Sequence, residues 1–177
     1  TVIDKSLTRL NDLDFQFGSK LNTIYATTEA LEDYVKDADL VVGAVLVPGA
    51  QAPKLVSREI LNHMRPGSVM VDVAIDQGGC FETSRPTTHQ DPTYIEHDVV
   101  HYCVTNMPGS VPYTSTIALA NATFPYIKKL VNYGYVNAMN NDKSLLGGLN
   151  IYKGTITHKG VADTFCMNYV PPRNAMA

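Results

Sequence analysis

The chain has 177 residues, 45% hydrophobic and 18% charged, enough to bury a substantial core in one or two domains. Its net charge of −3, with no basic tail or patch, argues against nucleic acid as the main partner, because phosphate binding wants a basic surface. No apolar stretch approaches the roughly 20 residues that a membrane-spanning helix needs, so no membrane partner is expected.

The first residues, Thr1-Val2-Ile3-Asp4, are neither an initiator Met nor a secretory signal, and they read as the end of a strand. A charged helical pattern follows, with Leu7, Leu10 and Leu13 at intervals of three. Residues 21–26 predict a second strand and "TTEALEDYVKDA" a helix, capped by Thr27 or Thr28 with Glu29 and Glu32 near its positive end. The β-branched run 39–49 predicts a strand buried on both faces. Ser57 is placed to cap a short helix over 57–64, ended by Pro66-Gly67. Residues 68–75 and 99–106 predict two further buried strands. Strands alternating with helices imply βαβ units and a parallel sheet.

Beyond "MPGSVP" the pattern changes. Residues 114–134 predict a long helix, with Ile117, Ala120, Phe124, Ile127 and Val131 on one face and a kink at Pro125. A strand-like "LNIYKGTIT" and a last small helix ending at Pro171-Pro172 complete the chain. Residues 114–177 carry too little apolar pattern for an independent core, so they are expected to pack on something else. Cys80, Cys103 and Cys166 are far apart and lack a C-x-x-C spacing, which fits reduced thiols better than disulfides or zinc.

Two carboxylates stand where chemistry is expected. An acid ending the second strand of a dinucleotide-binding unit accepts hydrogen bonds from the adenosine ribose and disfavours a 2′-phosphate. Asp4 stands at that position, although an Asp there more often caps the helix that follows. The accompanying G-x-G-x-x-G loop is not found among the 12 glycines, and Gly43 and Gly49 do not form a Walker loop.

Asp76 follows a strand end, where ligands of open parallel sheets bind, and Gly78-Gly79 permit close approach. The same residues also make an ordinary turn. Asp72, inside the strand between Val71 and Val73, reads as structural because a buried acid must be hydrogen-bonded or protonated. Val45 and Leu46 end another strand and can pack on an adenine or ribose, or belong to the core. "TNMPG" closes a third strand end, where Met107 can face a planar ring. His97 and His101 are four apart, but His101 falls in a strand-like run and no third ligand is evident, so no metal site is expected. Ser84 and His89 are close in sequence, which says nothing about a catalytic triad.

Taken together, "ADLVVGAVLVPGAQAPKLV", "VDVAIDQGGCFETSRPTTHQDPTY", "HYCVTNMPGSVP" and "TSTIALANATFPY" resemble bacterial alanine dehydrogenase, over essentially the whole chain. That resemblance implies an α/β Rossmann-like parallel sheet followed by a helical segment of a second domain. The implied boundaries are 1–113 for a partial NAD-binding domain and 114–177 for part of the substrate domain. It implies NAD as cofactor, with L-alanine, pyruvate and ammonia as substrates, in a cytoplasmic homohexamer. Residue by residue, Asp4 matches the ribose-binding acid and Arg9 a basic position near the adenosine. Val45, Leu46 and Val73 match strand ends along the cofactor. Asp76 matches the active-site aspartate, and Val104, Asn106 and Met107 match the loop bordering the nicotinamide. The family's N-terminal domain, the first strand of its NAD domain and the glycine loop have no counterpart here. The sequence is therefore expected to be the C-terminal half of such an enzyme, probed best against two alternatives: an NAD(H)-binding transhydrogenase subunit and a non-catalytic assembly fragment.

Overall fold

A computed structural model describes residues 1–47 and 49–177. Two compact units result: Thr1–Val45 with Ala52–Thr105, and Leu46–Gln51 with Asn106–Ala177.

The first unit is α/β, with parallel strands joined through helices. Strand β1 (Val2–Asp4) leads into helix α1 (Leu7–Phe17), then strand β2 (Thr23–Tyr25) and helix α2 (Thr28–Lys36). Strand β3 (Leu40–Gly43), the short helix α3 (Arg58–Leu61) and strand β4 (Val69–Asp72) follow. An antiparallel pair, β5 (Thr93–Glu96) and β6 (Val99–Tyr102), completes the unit. β1 pairs parallel with β2, from Val2↔Thr23 to Asp4↔Tyr25. β3 pairs parallel with β4 from Leu40↔Val69 to Gly43↔Asp72, and β4 with β6 from Val69↔Val100 to Val71↔Tyr102. The two sheet orders are thus β1-β2 and β3-β4-β6-β5. In a doubly wound sheet of order 3-2-1-4-5-6, β2 and β1 match positions 3 and 2, and β3, β4 and β6 match positions 4, 5 and 6.

Local chemistry explains most of these boundaries. The Ser6 hydroxyl accepts from the Arg9 amide at 3.2 Å and starts α1. Thr27 does the same for α2 through the Ala30 amide at 3.1 Å, with Glu29 in the first turn. The core gathers Val56, Leu61, Met70, Phe81 and Val99, each at most 2% exposed, between the sheet and its connections.

Several expectations are corrected. The strand expected over 68–75 ends at Asp72, because the Asp72 carboxylate accepts from the Ala74 amide at 3.0 Å and turns the chain into a 3-10 helix, Val73–Gln77. The strand expected over 39–49 stops at Gly43 and is not buried on both faces, since β3 is an edge strand with Leu40 and Val42 exposed. Pro48, within that expected run, lies outside the described residues. The run 99–106 is strand only over its first four residues. Ser57 does not cap α3 with its side chain; the Glu82 carboxylate accepts from the Arg58 amide instead, at 2.6 Å. β5 has no counterpart among the expected strands, because the turn that makes it is unmarked by Gly. His97 and Asp98 adopt φ of 51° and 60° between the paired residues Glu96 and Val99, a two-residue hairpin turn with both centres left-handed.

In the second unit, a 3-10 turn (Met107–Ser110) precedes helix α4 (Pro112–Asn141), longer than the predicted helix. Its one residue with non-helical dihedrals is Gly134 (φ 71°, ψ 155°), not Pro125, where the kink was expected. Asp142 caps helix α5 (Lys143–Gly147) through the Ser144 and Leu145 amides. A hairpin of β7 (Ile151–Tyr152) and β8 (Thr155–Ile156) follows. Helix α6 (Lys159–Thr164) and helix α7 (Pro172–Met176) then replace the single helix expected to end at Pro171-Pro172. Its buried apolar residues are few, Ala138, Ile156 and Ala162, whereas Phe124, Ile127 and Val131 on α4 are exposed.

Candidate active site at the carboxyl ends of the parallel strands

Asp72 is the last residue of β4 and is fully buried. Its Oδ1 accepts from the Ala74 amide, and its Oδ2 accepts from the amides of Cys80 at 2.9 Å and Phe81 at 3.3 Å. The Ser84 hydroxyl donates to the same Oδ2. A buried carboxylate is tolerable only with such a donor set. The structural role expected of Asp72 is therefore observed, and it consists in gathering both ends of the loop 73–84.

The loop is packed from the other side as well. A Cβ placed on Gly43 would lie 2.3 Å from the Cys80 Sγ and 2.6 Å from the Phe81 ring, so the end of β3 abuts the loop too closely for any side chain. The segment after the second unit's excursion also returns along it. The Ala52 amide donates to the Gln77 carbonyl at 3.0 Å, the Leu55 amide to the Cys80 carbonyl at 2.7 Å, and the Glu82 amide to the Val56 carbonyl at 2.9 Å. The Lys54 ammonium donates to the carbonyls of Gly78, Gly79 and Phe81 at 2.7, 2.9 and 3.1 Å. Nothing in the sequence singled out Lys54. A lone lysine beside a proline carries no motif, and its carbonyl partners sit 24 to 27 residues away.

Asp76 lies on the 3-10 turn within this loop and is exposed, with no hydrogen-bond partner among the described residues. The turn is closed behind it by the amides of Gly78 and Gly79, which donate to Ile75 and Ala74 carbonyls at 3.0 Å each. Val73, at the start of the turn, is 48% exposed. Val45 is partly buried against the core, whereas the Val104 side chain is completely buried. At the other sheet, Asp4 ends β1 partly exposed; its Oδ1 accepts from the Ser6 amide at 2.7 Å, and its Oδ2 has no partner among the described residues. Both alternatives posed for Asp4 are therefore compatible, since one oxygen serves the helix start and the other is open. Arg9 is exposed on α1. Leu46, Asn106 and Met107 belong to the second unit, where Leu46 is exposed, Asn106 has a left-handed φ of 57°, and Met107 opens the 3-10 turn.

Behind the loop lies a buried polar cluster. The Tyr94 hydroxyl donates to the Thr83 carbonyl at 2.8 Å and accepts from the Arg85 amide at 3.0 Å, with the Arg85 guanidinium 3.9 Å above its ring. His101 stacks on Tyr94 at 4.9 Å. Its Nδ1 lies 3.1 Å from the Val99 carbonyl, which can only accept, so the neutral ring carries its proton there and Nε2 accepts from the Thr83 hydroxyl at 2.8 Å. Burial pushes the His101 pKa down from its ordinary value. Burial and the neighbouring Asp72 carboxylate push the Cys80 thiol up to about 12, so it is no nucleophile at neutral pH. No group of three or more His, Cys, Asp or Glu side chains suited to a metal occurs among the described residues. No helix among them is long and apolar enough to cross a membrane.

Comparison with known proteins assigns this arrangement to a family. The family model described as alanine dehydrogenase/PNT, C-terminal domain, matches residues 1–159. The alanine dehydrogenase of Halomonas elongata is 54% identical over 170 residues, covering 96% of this chain and 46% of the relative. Alanine dehydrogenase 2 of Staphylococcus aureus is 52% identical over 177 residues, 99% of this chain and 48% of the relative. A solved L-alanine dehydrogenase superposes with a TM-score of 0.79 at 48% identity, over 93% of this chain and 45% of that one. A transhydrogenase structure from Sinorhizobium meliloti, with a TM-score of 0.64 and 22% identity over 89% and 41% of the two chains, shares the fold. The chain spans about half the length of the curated relatives it matches. On the family match and on identities above one half across nearly its whole length, this chain belongs to the alanine dehydrogenase/PNT C-terminal-domain family.

Proposed function

We propose that this chain supplies the NAD-binding half of an alanine dehydrogenase, which converts L-alanine, NAD+ and water to pyruvate, ammonium, NADH and a proton, and runs the reverse reaction. In this reading residues 1–113 bind the cofactor and 114–177 belong to the substrate domain of a cytoplasmic homohexamer. The observation that carries it is the placement of Asp76: an unpartnered, exposed carboxylate on a rigidly bonded loop past the carboxyl end of a parallel strand. Ligands of doubly wound sheets bind at that edge.

The residues present fit a nicotinamide dinucleotide. Asp4 offers an open carboxylate oxygen at the end of β1, suited to ribose hydroxyls. Val73 offers a half-exposed apolar face next to the turn, and Gly78 has no heavy atom within 4 Å of where a Cβ would stand, so a planar group can approach its backbone. A nicotinamide dinucleotide held by these residues would supply the hydride acceptor for alanine oxidation. The chain's own part is electrostatic and positional. Asp76, the acidic group on the turn, accepts hydrogen bonds from the substrate ammonium and from the water that hydrolyses the imine. Val104, fully buried, acts only by supporting the strand end beside it. Arg9, Val45, Leu46, Asn106 and Met107 line the remaining cofactor contacts in this reading.

The test is alanine-dependent NADH formation by the full-length protein and by its Asp76→Asn variant. Turnover of the variant is expected to fall by about 10²-fold or more, the range typical of a lost electrostatic stabiliser, with an unchanged circular dichroism spectrum. Near-normal kinetics of Asp76→Asn sink the assignment. Cofactor binding without any alanine-dependent reaction favours a transhydrogenase-type subunit instead.

A further inference from the structure

We propose that Lys54 and Asp72 are positioning residues, a pair of opposite charges that clamp the loop 73–84 from its two sides and so hold Asp76 in place. The proposal rests on the reading of Asp76 above. Its physical basis is an account of where the loop's backbone groups go. Turns that project a catalytic group cannot satisfy their peptide groups by sheet or helix ladders, yet buried peptide groups must be satisfied.

In this loop the division is by charge. The amides of Ala74, Cys80 and Phe81 converge on the Asp72 carboxylate, which is fully buried. The carbonyls of Gly78, Gly79 and Phe81 converge on the Lys54 ammonium, while the two between and before them, Cys80 and Gln77, are taken by backbone amides of Leu55 and Ala52. All five carbonyls from Gln77 to Phe81 are therefore accounted for, and two of them, Gly78 and Gly79, depend on the Lys54 side chain alone, the Phe81 carbonyl also accepting from the Ser84 amide at 3.2 Å. The Phe81 residue bridges the two charges directly, its amide on Asp72 and its carbonyl on Lys54.

An ammonium has three donors and no acceptor, so its convergence on three carbonyls uses its full capacity. Both residues bond the loop's peptide groups and neither bonds the Asp76 side chain, so each acts through the loop. Losing Lys54 leaves the Gly78 and Gly79 carbonyls without any other partner among the described residues, so this stretch of the loop loses its tie to the segment that carries Lys54. Displacement of a catalytic group by about 1 Å is enough to lower turnover by roughly 10²-fold.

The experiment uses Lys54→Met, which keeps the stem and removes the donors, and Lys54→Ala, which leaves room for a small cation. Amide hydrogen exchange of residues 78–81 in Lys54→Met is expected to rise about tenfold or more over wild type, as follows from losing charge-assisted hydrogen bonds. In the full-length protein, kcat for alanine oxidation is expected to fall by roughly 10- to 100-fold with little change in KM for NAD. Ethylammonium chloride is expected to restore kcat of Lys54→Ala, whereas sodium chloride at equal ionic strength does not. Unchanged exchange at 78–81 overturns the clamp. Raised exchange with unchanged kcat overturns its positioning role. A wild-type protein with no alanine-dependent activity refutes the functional reading alone, since the exchange measurement still decides the clamp. Asp72→Asn, which turns one acceptor oxygen into a donor facing amides, is the complementary variant where it folds.

Discussion

Replacing Gly79 by Ala is the sharpest stability test of the loop, and Gly78→Ala is its internal control. Both glycines have left-handed φ, 75° and 88° respectively, so each alanine meets the same backbone penalty of about 1–2 kcal/mol. They differ in what surrounds the added methyl group. At Gly78 nothing lies within 4 Å, whereas at Gly79 the Cβ would stand 2.7 Å from Asp72 Oδ2 and 2.7 Å from the Ser84 Cβ. Oδ2 cannot retreat freely, because it holds the Cys80 and Phe81 amides and the Ser84 hydroxyl. Weakening one charge-assisted bond there adds about 1.5–3 kcal/mol to the cost of Gly79→Ala alone. Urea unfolding followed by circular dichroism reads the difference. With a slope of about 2 kcal/mol/M, the two midpoints should differ by roughly 1 M, Gly79→Ala being the lower. Equal midpoints, or a lower one for Gly78→Ala, refute the claim that Asp72 organises this loop.

His101 gives a pH prediction. Its pKa is lowered in the folded state by burial, so the unfolded chain binds the proton more readily, and stability contributed by the neutral ring is fully present above the ordinary value of 6.5 and declines as pH falls below it. His101→Gln should flatten the dependence of the urea midpoint on pH just below that value; an unchanged slope contradicts the reading. The cysteines should separate by reactivity. All three are free, but Cys80 and Cys103 are buried and Cys166 is exposed, so iodoacetamide near neutral pH should modify Cys166 and spare the other two until the protein is unfolded. Mass spectrometry of the labelled peptides checks this, and early modification of Cys80 contradicts its raised pKa.

How far the fold was legible in the sequence depended on how local its causes are. The Thr27 cap and the α2 pattern are decided within four residues, and both were correctly read. The ends of β3 and β4 were overextended, because apolar, β-branched residues continue past the point where hydrogen bonding stops. β4 ends through the Asp72 carboxylate turning back onto Ala74, an interaction that hydrophobic pattern does not encode. The His97-Asp98 turn was missed for a similar reason, since residues other than Gly occupy both left-handed positions.

For the site, the sequence by itself determined the chemical inventory: a carboxylate after a buried strand, a glycine pair, an acid at the end of the first strand, and a family membership carried by long motifs. Those are properties of order along the chain. Only the tertiary structure decided that Asp72 and Lys54 bond the loop's peptide groups, that the Val104 side chain is buried, and that Gly43 must be a glycine because Cys80 and Phe81 stand against it. These contacts join residues 8 to 38 positions apart, and their direction is set by parallel strand register and by which peptide groups the turn leaves unpaired. A one-dimensional pattern records which groups are available; the folded backbone decides which of them meet.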